Sequence, residues 1–99
     1  MSHYFIAHAR NATDPAKLDE YRKLNTPLVE RHGGRFLIRG GTIEVVEGSF
    51  GSERIVVMEF PDEASARAWY EDPEYVEARK LRLESSETDV LLVEGVQAS

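Results

Sequence analysis

The chain has 99 residues, which is enough for one domain and too few for two, so we assign residues 1–99 to a single domain. Its 18 acidic and 12 basic residues give a net charge of −6, which argues against nucleic acid and membrane as partners, because both require a basic footprint. The absence of cysteine excludes disulfides, thiol catalysis and thiolate metal sites, and it is typical of a cytoplasmic protein. The first residues show no signal-peptide pattern, and no apolar run approaches the roughly 20 residues that span a bilayer.

The N-terminal part of the chain predicts a strand followed by a helix. Residues 4–10 alternate as a β-strand does. Asp14 and Pro15 mark a helix start, with the aspartate as N-cap and the proline at the first helical position. Gly33 marks the helix end, because glycine takes the left-handed conformation without a Cβ clash. Pro27 lies inside the helical pattern and predicts a kink or a restart there.

The central part of the chain predicts a β-hairpin. Residues 35–46 form its first strand, interrupted by Gly40 and Gly41, and a glycine pair inside a strand usually marks a bulge or a bend. Residues 54–60 form its second strand, and the glycine-containing segment between the two strands is typical of a turn.

The C-terminal part predicts two helical pieces and a last strand. Asp62 caps the first piece, and the Asp72-Pro73 pair opens the second. Residues 90–93 form the last strand, and residues 96–99 form a tail.

This element order, β-α-β-β-α-β, favours an α+β, ferredoxin-like sandwich in which an antiparallel four-stranded sheet carries its helices on one face. The last two strands are nevertheless apolar on both faces, whereas a one-sided sheet alternates apolar and polar residues. One face would carry Ile55, Val57, Leu91 and Val93, and the other would carry Val56, Met58, Val90 and Leu92. We therefore predict a homodimer in which the sheet faces of two copies pack into a barrel-like core.

Six short motifs occur along the chain in a specific order: His32-Gly33-Gly34-Arg35, Arg39-Gly40-Gly41, Glu47-Gly48, Glu59-Phe60-Pro61, Ala68-Trp69-Tyr70 and Asp72-Pro73-Glu74-Tyr75. Together they resemble domain-of-unknown-function family thirteen-thirty, and the resemblance extends to Gly95. The family belongs to the dimeric α/β-barrel superfamily of ferredoxin-like proteins, which implies the same dimer. Its wider relatives include cofactor-free monooxygenases, lactone isomerases and haem proteins, and the family itself has no assigned reaction.

Three side chains are candidates for catalysis. His32 lies in the last turn of the first helix, where it would act as a general acid or base or would simply interact with the helix dipole. Arg39 would hold a carboxylate, enolate or phenolate, because the glycines after it let a ligand come close. Glu59 lies in an otherwise apolar strand, where a raised pKa would make it a base; the alternative is contact with water or an arginine.

Four further side chains are candidates for ligand binding. Arg35 shares a predicted strand face with Arg39, and both have pairing with sheet glutamates as the alternative. Trp69 and Tyr70 would line an aromatic pocket between helix and sheet or would belong to the core. Tyr21 faces the sheet from the first helix, and its phenol needs a partner if it is buried.

The histidines do not predict a metal or haem site. His3 and His8 are five residues apart on one strand, which places them on opposite faces. The predicted helix over residues 63–70 has no histidine to serve as the axial haem ligand expected from the haem-degrading relatives. We predict no bound cofactor and no metal.

Two hypotheses about function remain open. The first is a cofactor-independent enzyme, similar to a monooxygenase or isomerase, that acts on a small apolar or aromatic molecule. The second is a non-catalytic dimeric module that binds a small molecule or has a structural role. Convergence of His32, Arg39 and Trp69 on one cavity would favour the enzyme, and engagement of Arg39 by glutamates without a cavity would favour the module.

Overall fold

The computed structural model describes residues 1–96, so the last part of the predicted tail, residues 97–99, lies outside the described residues. Four strands and three helices follow one another in the predicted order, with the second helix divided into two pieces. The elements are β1 (His3–Arg10), α1 (Pro15–Arg31), β2 (Arg35–Arg39), β3 (Arg54–Phe60), α2 (Glu63–Glu71), α3 (Pro73–Ser85) and β4 (Glu87–Glu94).

The four strands form one sheet in the order β2-β3-β1-β4, with every neighbouring pair antiparallel. This arrangement confirms the predicted α+β, ferredoxin-like fold. In the register of the central strands, Phe5 lies between Met58 and Leu92, and the next residue, Ile6, lies between Val57 and Leu91. β1, β3 and β4 therefore carry apolar side chains on both faces of the sheet, as the sequence predicted for β3 and β4.

All three helices begin at an aspartate N-cap. The side chains of Asp14, Asp62 and Asp72 accept hydrogen bonds from backbone N–H groups of the first turn, as a capping residue does. α1 continues through Pro27 without a second cap, so the predicted restart there is wrong. Gly33, with φ of 79°, follows the end of the helix as predicted.

The strand predicted over residues 35–46 is shorter than expected, because β2 ends at Arg39 and the following residues have no regular structure. A bulge lies between Phe36 and Ile38, before the glycine pair rather than at it. The extra residue reverses the alternation, so Arg35 pairs with Glu59 on one face of the sheet. Arg39 then points to the other face, and the prediction that the two arginines share a face is wrong.

The helices cover one face of the sheet and enclose an aromatic core. The Trp69 ring lies 5.0 Å from the Phe5 ring and 4.1 Å from the Tyr75 ring, measured between centroids. Its indole Nε1 donates a hydrogen bond of 2.9 Å to Oδ1 of the buried Asn25. This polar pair joins α1 to α2 inside the core, where an unpaired indole N–H would be costly.

The opposite face of the sheet, called here the open face, is apolar and uncovered in the single chain. Leu91 and Val93 remain 50% and 40% exposed. Ile6 and Val57 are neighbours in the register and lie between these exposed positions and β2. The apolar character of both faces is therefore as predicted. Within residues 1–96, none of the helices has the length and hydropathy needed to cross a membrane.

Candidate functional site

A cavity of about 350 Å³ lies between α1 and the helix-covered face of the sheet. Its floor is formed by small and aliphatic side chains of β1, β3 and β4, and its roof comes from α1. The principal floor residues are Ala7, Ala9, Val56, Met58 and Val90. A volume of this size and an apolar lining are typical of small-molecule sites.

The cavity exists because side-chain size changes along β1. Phe5, Ala7 and Ala9 share one face of the strand, but the phenylalanine fills the space below the helices and the two alanines do not. Above them, Leu18 and Tyr21 project from α1 at helical spacing and form the roof. A large residue followed by two small ones thus leaves open space under the N-terminal half of α1.

Arginine side chains line one end of the cavity. The Arg39 guanidinium stacks on the Phe36 ring at 4.0 Å and donates a hydrogen bond to Oγ1 of Thr26. Arg54 lies beside Gly40, where an added Cβ would overlap the guanidinium. Burial, together with the positive charges of Arg22 and Arg39, lowers the pKa of Arg54 below its usual range. Among residues 1–96, neither Arg39 nor Arg54 has a carboxylate oxygen within 4.0 Å.

A pair of phenols lies at the roof of the cavity. The hydroxyls of Tyr21 and Tyr75 are 2.8 Å apart, and the guanidinium of Arg82 lies 5.9 Å from the centre of the Tyr21 ring. Burial raises the pKa of Tyr21 well above its ordinary value, and the adjacent Tyr75 adds to the effect. Tyr21 therefore stays protonated at neutral pH, so it can donate or accept a hydrogen bond but does not act as an anionic base. Tyr75 is thus the hydrogen-bond partner that the buried Tyr21 phenol needs.

His32, predicted as an acid or base, lies away from the cavity. Its Nε2 is 2.8 Å from Oδ2 of Asp72, at the junction of α1 and α3. The same carboxylate caps α3 through the N–H of Glu74. These contacts link the end of α1 to the start of α3 through the His32 imidazole.

Glu59 lies on the open face rather than at the cavity. The Tyr4 hydroxyl donates to one carboxylate oxygen at 2.8 Å, and Arg35 pairs with the other at 2.7 Å. These contacts lower the pKa of Glu59, the hydrogen bond from Tyr4 having the largest effect and Arg35 the next. The carboxylate is thus a weaker base than usual, and the pairing alternative foreseen for Arg35 is the observed one.

The remaining two candidates divide between the core and a second, smaller cavity. Trp69 is buried in the core, and Tyr70 lines a space of about 250 Å³ with Phe5 and Leu92. Arg39 and Tyr21 are the predicted site residues that line the main cavity. The condition for an enzyme is not met, because Arg39 lines a cavity that neither His32 nor Trp69 reaches. The condition for a binding module is not met either, because no glutamate among residues 1–96 pairs with Arg39.

Among the polar residues of the main cavity that sequence reasoning missed are Arg22, Asn25 and Arg54. Asn25 follows Tyr21 by four positions on α1, a spacing that places both on one helix face. Arg54 starts β3, and its proximity to Gly40 depends on the pairing of β2 with β3, which the sequence does not specify to the residue. In the described part of the chain, no group of three or more His, Asp or Glu side chains is arranged to hold a metal ion.

Comparisons with known proteins identify the fold and a family. A family model described as "Domain of unknown function (DUF1330)" matches residues 2–96. No curated protein sequence matches the chain. The structure is similar to a protein of unknown function from Rhodopseudomonas palustris, with a TM-score of 0.76 and 19% identity over 98% of this chain and 84% of the other.

Two further solved structures resemble the chain over nearly its full length. SnoaB, a cofactor-independent oxygenase from Streptomyces nogalater, gives a TM-score of 0.69 at 13% identity, covering 98% of this chain and 95% of the other. A dimeric ferredoxin-like protein of unknown function from Jannaschia sp. CCS1 gives 0.67 at 13% identity, covering 96% of this chain and 100% of the other. At these identities the likeness shows a common fold.

Proposed function

Since the chain belongs to DUF1330, a family of unknown function, we propose from its own site that it binds a small apolar or aromatic molecule in the cavity between α1 and the sheet. The observation that carries this proposal is the cavity of about 350 Å³, which combines an apolar floor with arginines and phenols at its edges. An apolar space with a few convergent polar groups favours ligands that bury a hydrophobic body and orient one polar group.

The proposed activity is cofactor-independent chemistry on that molecule, similar to a monooxygenase or an isomerase. Arg39 would stabilise a substrate that binds as an enolate or phenolate, its proton having passed to solvent water, because a guanidinium donates paired hydrogen bonds to an oxyanion. Tyr21 and Tyr75 would orient the substrate through hydrogen bonds. The shared fold with a cofactor-independent oxygenase supports this reaction class by analogy.

The alternative is a non-catalytic binding module, and one observation favours it. His32 and Glu59, the two groups predicted to move a proton, lie outside the lining of the cavity. Incubation with a cavity ligand under oxygen separates the alternatives. Consumption of the ligand or of oxygen identifies an enzyme, and recovery of unchanged ligand identifies a binding module.

Replacement of Arg39 tests the site. Arg39→Ala should leave the protein folded, because the side chain is exposed, and it should weaken any ligand found by a small-molecule screen. Lys23→Ala is the matched control, since this exposed side chain of α1 lies outside the cavity lining. Unchanged affinity in Arg39→Ala would remove Arg39 from the site.

The open face supports a second proposal, a homodimer formed by packing this face against the same face of another copy. In such a two-fold dimer, the apolar side chains of each open face would be covered by those of the other copy. The dimeric ferredoxin-like neighbour has the same fold. Val57→Lys, or Ile55→Lys, should give monomers or aggregates in light scattering. Leu83→Lys is the control, because Leu83 is 62% exposed on α3, away from the sheet. An intact dimer in the Val57 variant would contradict the assigned interface.

A further inference from the structure

We propose that the cavity ligand is an organic acid, with its apolar or aromatic body on the floor formed by Ala7 and Val56 and its carboxylate held between Arg39 and Arg54. This inference rests on the proposed function, since it specifies the class of molecule that the cavity takes. It assigns binding roles to side chains whose positive charge the structure leaves uncompensated.

Ion pairs reach some arginines of the chain and not others. Arg10, which also lines the cavity, pairs with a carboxylate at 2.8 Å, and Arg31 and Arg35 do so at 3.0 and 2.7 Å. Within residues 1–96, neither Arg39 nor Arg54 has a carboxylate oxygen within 4.0 Å, although the chain carries 18 acidic residues. In such an acidic protein, unpaired guanidinium groups beside an apolar cavity indicate that the negative charge is supplied by the ligand.

Two acidic residues lie near the cluster, and neither forms an ion pair with Arg39 or Arg54. Glu53 lines the cavity, but its carboxylate accepts a hydrogen bond of 3.0 Å from the N–H of Asn11. Asp19 approaches Arg22 at 4.0 Å on the exposed side of α1, and it also pairs with Lys23 at 3.5 Å. Mutual repulsion of Arg22, Arg39 and Arg54 therefore persists in the free protein, and it is the main cause, after burial, of the lowered pKa of Arg54.

The Arg39 guanidinium is held in place before a ligand arrives, and Arg54 has space beside it. Thr26 and the Phe36 ring fix Arg39, while the positive φ of 73° at Gly40 and its missing Cβ leave space for Arg54. Preorganised donors lose little conformational entropy when they bind an anion. A planar guanidinium fork matches a carboxylate, whereas phosphate sites typically add a cradle of backbone N–H groups at a helix N-terminus.

The experiment compares 2-naphthoate with 2-naphthamide, its neutral analogue of similar shape, by isothermal titration calorimetry. For the unmodified protein we expect the acid to bind roughly tenfold more tightly than the amide, as a charge-assisted hydrogen bond would give. Arg54→Gln should weaken binding of the acid by a similar factor and leave the affinity for the amide unchanged. Arg39→Gln should do the same, and circular dichroism should show that both variants are folded.

Lys23→Gln removes one positive charge from the same region without touching the cavity, and it should retain the preference for the acid. Arg54→Gln should also raise the midpoint of thermal unfolding without ligand, because one member of a repelling cluster is removed. Equal binding of acid and amide, or an unchanged preference in both arginine variants, would overturn the anion inference and leave the cavity as a small-molecule site. Failure of both compounds to bind would count against the proposed function and against this inference with it.

Discussion

The helix-covered face of the sheet has two halves that differ in how the space above it is filled. In one half, called here the sealed half, the rings of Phe5, Phe60 and Trp69 pack against one another and are buried. In the other, the cavity half, the corresponding position on β1 is Ala7 and the space above it stays open. The comparison teaches that one strand supports both a core and a cavity, and that side-chain size decides which one forms.

Polar groups are treated differently in the two halves. In the sealed half, the indole N–H of Trp69 has its partner in Asn25. In the cavity half, Arg39 has a hydroxyl and a ring as partners and Arg54 adjoins Gly40, but neither has a counter-ion in the described chain. Stability is therefore concentrated in the sealed half, while the cavity half keeps unsatisfied charge available for binding.

The strongest challenge to this division is the removal of the central ring of the sealed half. Trp69 is 1% exposed, so Trp69→Ala should lower the free energy of unfolding by about 3–5 kcal/mol in urea denaturation. Trp69→Phe keeps most of the ring volume and should cost less, about 1–3 kcal/mol, because it leaves Asn25 without its donor. A cost below about 1 kcal/mol for the alanine variant would show that the sealed half is not the main source of stability.

Filling the cavity half should have a smaller effect on stability and a large one on binding. Ala7→Leu places a larger side chain in open space, so the free energy of unfolding should change by no more than about 1 kcal/mol. The same variant should abolish binding of a cavity ligand such as 2-naphthoate in calorimetry. Ala16→Leu is the control, because Ala16 is exposed on α1 and outside the cavity lining. Retained binding in Ala7→Leu would place the ligand elsewhere.

The smallest expected effect concerns the helix junction beside the sealed half. The hydrogen bond with His32, and then the backbone N–H of Glu74, lower the pKa of Asp72 in the folded protein. Stability from this carboxylate is present above its unfolded pKa of about 3.9 and is lost as the pH falls through the lower folded value. Asp72→Asn should therefore unfold at a lower temperature than the parent at pH 7.

At pH 3 the difference between Asp72→Asn and the parent should be smaller, since protonation begins to remove the same interaction. Asp19→Asn, an exposed position on α1, should show little change at either pH. A constant difference between Asp72→Asn and the parent across this pH range would show that the charge of Asp72 does not contribute. The junction would then depend on packing alone.

Much of the fold was predictable because its signals are local. The aspartates before Pro15, Glu63 and Pro73 mark helix starts, and they cap helices in the structure. The lack of apolar/polar alternation in β3 and β4 predicted two apolar faces, and the structure shows both. The extent of β2 was overestimated, since Ile43 and its neighbours have a strand-like composition but no strand partner in the described chain.

The site was less predictable because its residues converge through pairing and packing. Tyr21 and Arg39 were identified as site residues. Arg39 was predicted to share a strand face with Arg35, because a bulge has no clear signature in residues 35–39. Arg54 joins Arg39 only when β2 and β3 take their observed register. His32 was attractive from its position beside two glycines, yet the packing of α1 against α3 directs it to Asp72.

The bulge in β2 has a consequence for how this site can change over evolution. Deleting Leu37 would remove the bulge but keep Arg39 opposite Val56, so its guanidinium would stay at the ligand cavity. Regular pairing of the same residues without the bulge would instead place Arg39 opposite Ile55, on the face proposed for dimerisation. Such a shift in pairing would exchange a binding group for an interface charge with no amino-acid substitution, and related chains without the bulge would be expected to prefer different ligands and to associate differently.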